Sequence, residues 1–78
     1  MTRNAYIIVK NFGTKEERKG LAAKIREQTL YPAVTEMNGQ DTGAVIIKLR
    51  MYELAGFFDT MQQNDEFNWI EYTVQFEF

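Results

Sequence analysis

The chain has 78 residues, of which 45% are hydrophobic and 26% charged, and carries a formal charge of −2. A chain of that length closes around one core and buries about 60% of its unfolded surface. The expectation is therefore one folded domain, 1–78, of ordinary globular composition. The absence of cysteine and histidine excludes disulfides and thiolate chemistry and removes the commonest metal ligand and general base. The slightly acidic balance removes the broad positive field of a typical nucleic-acid binder.

Residues 1–4 carry no signal-peptide pattern, and no apolar run approaches the roughly 18 residues of a membrane span, so a cytoplasmic protein is expected. Ala5 to Phe12 (AYIIVKNF) is rich in β-branched and aromatic residues and stops at Gly13, which predicts a first strand. Thr14-Lys15-Glu16-Glu17 has the form of a capping box and predicts the start of a helix. Leu21, Ala22 and Ile25 mark its apolar side, Gly20 weakens it, and it should end before Pro32, the only proline.

Ala33 to Met37 (AVTEM) reads as a short strand, and the following Asn38-Gly39 suits a tight reversal at positive φ. Thr42 to Arg50 should return as the next strand. Met51 to Gln63 then shows Leu54, Phe57, Phe58 and Met61 at helical spacing, a stripe that predicts a second helix lying on the sheet. After a polar loop through Asn64, Asp65 and Glu66, Trp69 to Phe78 alternates strictly, with Ile70, Tyr72, Val74, Phe76 and Phe78 on one side. The expected fold is α+β with the order βαββαβ, a ferredoxin-like four-stranded antiparallel sheet of order 4-1-3-2 with two helices on one face.

Alternation assigns the two faces of that sheet. Ile7, Val9, Val45, Ile47 and Leu49 should meet the helices. Tyr6, Ile8, Lys10, Ala44, Ile46, Lys48 and Arg50 should face away from them, with Trp69 beside them on the last strand. The centre of the open face is then Ile8, Ala44 and Ile46. A contiguous apolar patch in that position marks an interaction surface.

Ile7-Ile8-Val9-Lys10-Asn11-Phe12 and Thr42-Gly43-Ala44-Val45-Ile46-Ile47-Lys48-Leu49 resemble the two strand motifs of an RNA-recognition motif. The resemblance implies the same topology and, through Lys10, Lys48 and Arg50, binding of single-stranded RNA or DNA. In that family aromatic rings stand at the positions of Ile8, Ala44 and Ile46 and stack on bases. Here all three are aliphatic, which removes stacking worth about 1–3 kcal/mol per base. The turn Asn11-Phe12-Gly13-Thr14 before a helix is also similar to the ligand turn of ACT domains, which implies small-molecule sensing at the helix amides.

No catalytic centre, metal site or cofactor is expected. The carboxylate pairs Glu16 with Glu17, Asp65 with Glu66 and Glu71 with Glu77 read as solvated surface, and Asp59, Asp65 and Glu66 lack the spacing of a calcium loop. Tyr52, Phe57 and Phe58 belong mostly to the core. Phe67 and Trp69 are large rings in an acidic stretch, which points to a second contact segment, the other reading of Phe67 being that it closes the end of the core. The leading expectation is a non-enzymatic regulator or inhibitor, of a kind that viruses among others encode. It would bind another protein, or itself as a homodimer, through Tyr6, Ile8, Ala44, Ile46, Phe67 and Trp69.

Overall fold

The structure is a computed structural model and describes residues 3–10 and 12–77. Its elements follow in the order β1 (Asn4–Lys10), α1 (Lys15–Thr29), β2 (Ala33–Met37), β3 (Gln40–Arg50), α2 (Leu54–Gln62) and β4 (Thr73–Glu77), with a 3-10 turn over Met51–Glu53 leading into α2. The four strands form one antiparallel sheet of order β2-β3-β1-β4, which is the expected order counted from the opposite edge. Among the described residues no helix is long and apolar enough to cross a membrane.

Local chemistry accounts for most boundaries. Thr14 caps α1 by accepting from the Glu17 amide at 3.2 Å, and the Glu17 carboxylate accepts in return from the Thr14 amide at 3.1 Å, so two amides at the helix start are satisfied together. Asn38 and Gly39, at φ 54° and 77°, form a two-residue reversal between the paired residues Met37 and Gln40, the geometry that matches strand twist. α1 ends on Leu30, a non-glycine residue held at φ 69° with its side chain 95% exposed.

Leucine at that backbone position carries the strain that glycine avoids. Leu30→Gly is therefore expected to raise stability by about 1 kcal/mol, or about 4–8 °C in Tm for a domain of this size. An unchanged or lower melting temperature would show that the leucine makes a contact that offsets the strain.

The core lies between the helices and one face of the sheet. Ile7 and Val9 of β1 and Val45, Ile47 and Leu49 of β3 meet Leu21, Ala22 and Ile25 of α1 and Phe57 and Met61 of α2. Phe57 is its aromatic hub, with Tyr31, Phe58 and Tyr72 edge-on at 5.1, 5.3 and 5.5 Å. Tyr72 has its hydroxyl buried with no hydrogen-bond partner among the described residues, and burial pushes its pKa up to about 12.

Three strands depart from expectation: β1 runs Asn4–Lys10 rather than from Ala5 to Phe12, and Phe12 lies beyond it outside the sheet. β3 begins at Gln40 rather than Thr42, and its pairing with β2 is interrupted: two steps along β2, from Val34 to Glu36, are matched by five along β3, from Ile46 back to Asp41. Within this bulge Gly43 sits at φ 72° and its amide donates to Asp41 Oδ1 at 3.1 Å. The Arg18 guanidinium reaches across from α1 to Gly13 O at 3.0 Å and Asp41 Oδ2 at 3.4 Å. The Gly43 amide first, and Arg18 after it, holds the Asp41 carboxyl below the usual carboxylate range.

β4 begins at Thr73 rather than Trp69. Residues 65–69 instead turn around Asn64, whose carbonyl accepts from the Phe67 and Asn68 amides, both at 2.9 Å. Phe78, expected at the end of this strand, and Asn11, expected near the end of the first, lie outside the described residues.

Candidate protein-binding face

The face of the sheet turned away from the helices is built by register. Ile8 of β1 pairs with Ile46 of β3, and Ile46 pairs on its other side with Val34 of β2. Because the residues on either side of Ile8 and Ile46, namely Ile7, Val9, Val45 and Ile47, are buried in the core, pleating sends Ile8 and Ile46 to the opposite surface. Both remain part-exposed, and Val34 is 40% exposed. Three aliphatic side chains thus run side by side across three strands without a helix above them among the described residues.

Polar groups frame this row. Tyr6 pairs with Lys48 on one side and Gln75 on the other. Its hydroxyl donates to Glu77 Oε2 at 2.9 Å, Asn4 donates to Glu77 Oε1 at 2.9 Å, and the Lys48 ammonium lies 5.9 Å from the Tyr6 ring centroid. The hydrogen bonds from Asn4 and Tyr6, with the charge of Lys48, lower the Glu77 pKa, while the hydrogen bond to Glu77 is the main cause that raises that of Tyr6. Lys10, paired with Ala44, and Arg50, paired with Asn4, complete the frame at the two ends of β1.

Three expected members fall elsewhere. Ala44 lies at the bulge and is only 5% exposed, so it contributes little surface. Phe67 is fully buried among the core residues, because the turn around Asn64 directs it inward, and its ring cannot touch a partner. Trp69 precedes β4 instead of lying on it, and its ring stacks on Phe12 at 5.6 Å, away from the open face. Val34, in contrast, was not singled out from the sequence. The alternation Ala33-Val34-Thr35, with Ala33 and Thr35 buried, is the signal that finds it.

Several of the remaining candidates are engaged structurally. Glu17 occupies the start of α1, its carboxylate lying against Gly13, where a Cβ would stand 2.7 Å from it. An anion at that turn would meet this carboxylate. Glu66 accepts from Gln28 at 3.2 Å and lies 3.8 Å from the Lys24 ammonium. Among the described residues no three acidic side chains come together as metal ligands. Of the aromatic trio on the second helical segment, expected mostly in the core, only Phe57 is buried; Phe58 is exposed with its ring edge-on to Tyr72, and Tyr52 is exposed, because the turn before α2 holds it off the sheet face.

The chain matches no protein-family model, no curated protein and no solved structure.

Proposed function

We propose that this chain is a cytoplasmic, non-enzymatic module of ferredoxin-like topology that regulates or inhibits a larger protein by docking it on the open face of the sheet. The observation that carries this reading is the row Ile8, Ile46 and Val34, which crosses the centre of the sheet without a covering element. Burying such a row removes apolar area from water at about 25 cal/mol per Å² and desolvates few polar groups. Lys10, Lys48 and Arg50 stand around it, with the Glu77 carboxylate at the β4 side held by Asn4 and Tyr6. The complementary partner has an apolar centre and an acidic rim.

Single-stranded nucleic acid fits the face less well. The ring available there, Tyr6, already has its hydroxyl held by Glu77 and a lysine near its ring, and the neighbouring stacking positions are aliphatic. A second copy of the chain is the other protein that the row could bind.

Val34→Glu tests the face without touching the core. It should weaken partner capture, or self-association seen as molar mass in sedimentation, by about tenfold or more, with an unchanged helical signal in circular dichroism. If capture and mass are both unaffected, the face is not the docking surface. Nucleic acid would show itself instead by binding that falls steeply with salt and is lost on replacing Lys48 and Arg50 together.

A further inference from the structure

A second surface, on the helix side of the molecule, has a separate chemistry. A groove of about 490 Å³ opens between α1 and the turn around Asn64, within the size range of ligand sites. One wall is Trp69, 58% exposed and backed by Phe12 at an interplanar angle of 29°. Leu21 lies at its floor, and Glu17, Lys24 and Glu66 complete the lining, with the Lys24 ammonium 3.8 Å from Glu66 Oε2. The lining therefore carries a net charge of −1, two carboxylates against one ammonium.

Gly20 lies in this lining, in the middle of α1, where glycine weakens a helix. A Cβ there would meet nothing within 4 Å, so no crowding demands the glycine. Its effect is to leave the groove open along the helix.

We propose that this groove receives an arginine side chain from a basic segment of a protein partner. A guanidinium is flat and weakly hydrated, so it stacks on an indole at little desolvation cost, while its fork of donors reaches carboxylates. Both carboxylates here have spare acceptor capacity: Glu17 uses Oε1 for the Thr14 amide, and Glu66 uses Oε2 for Gln28 and Lys24. An anionic ligand is disfavoured by the same pair. A lysine ammonium matches the charge but lacks the plane that stacks, and a purely apolar side chain leaves the carboxylates unanswered.

Trp69 is the only tryptophan of the chain, so its fluorescence reports the groove directly. Purified protein is titrated with the blocked peptide Ac-Gly-Arg-Gly-NH2, with its lysine and citrulline counterparts, and with free arginine, at low and high salt. The arginine peptide should give a saturable change in Trp69 emission and bind at least about fivefold tighter than the citrulline peptide, the effect of removing a cation from an indole face. Lysine and free arginine, whose own carboxylate faces Glu17 and Glu66, should fall in between. Salt should weaken arginine binding and leave citrulline binding unchanged.

Gly20→Leu should remove the response by filling the groove while the thermal transition is retained, and Glu66→Gln should weaken it. No saturable response to the arginine peptide, or equal binding of citrulline, overturns the proposal. So does free arginine binding as tightly as the peptide, or an unchanged response in Gly20→Leu. Since Val34 is on the other side of the sheet, Val34→Glu should leave this titration unchanged, which keeps failure here separate from failure of the open face.

Discussion

Ile47→Asp is expected to leave the chain unfolded at 25 °C, whereas Ile46→Asp, one residue earlier, should leave it folded and unable to hold its partner. Ile47 is completely buried against the helices. An unpaired carboxylate at that point costs several kcal/mol in desolvation, in addition to about 1.5–3 kcal/mol of lost apolar burial. At about 0.05–0.15 kcal/mol per residue the whole fold is worth roughly 4–12 kcal/mol, so a single substitution removes most or all of it. Ile46 points the other way, between Ile8 and Val34, and a carboxylate there stays in water until a partner covers it. Circular dichroism and sedimentation of the two variants suffice as the test. Equal damage from both, or the reverse order, would mean that the faces of β3 are assigned wrongly.

Phe57→Ala should cost about 3–5 kcal/mol, the usual range for deleting a buried ring, and a further increment is expected because three aromatic neighbours lose edge-to-face contacts. At about 4–8 °C per kcal/mol, the thermal transition should fall by roughly 12–40 °C. In urea the midpoint should shift with little change in slope. Phe57→Leu, which fills most of the volume, should recover much of the loss. A fall of only a few degrees in Phe57→Ala would place the centre of the core elsewhere.

Where structure depends on neighbours in the chain, the sequence was legible. The capping box at Thr14 and Glu17, the Asn38-Gly39 reversal and the strand Ala33–Met37 all appear as expected, because each is decided by backbone chemistry within four residues. The inward set Ile7, Val9, Val45, Ile47 and Leu49 followed from pleating alone. The stretch before β4 was misread for a non-local reason. Ile70, Glu71 and Tyr72 alternate as strand residues do, but burial of Phe67 in the core accompanies the preceding turn around Asn64, and pairing with β1 starts at Thr73.

The candidate face was legible to the same extent. Ile8 and Ile46 could be placed by alternation, while Trp69 could not and Phe67 was left between contact segment and core, since their positions depend on a turn with no strong local signature. Ala44 was lost to the bulge at Gly43. Nothing in a run such as Thr42 to Leu49 announces that Arg18, far away in α1, will pin Asp41 there.

That bulge is the point where a change of length is expected to do least harm. The hairpin tip over residues 36–41 is joined to the rest of the sheet through a segment in which Thr35 alone on β2 stands against residues 42–45 on β3. An inserted or deleted residue in the tip can be taken up by resizing this slack, so Ile46 and its neighbours need not slide and exchange sides. A loop graft or tag placed between Asn38 and Gln40 would thus be insulated from both surfaces on which binding depends.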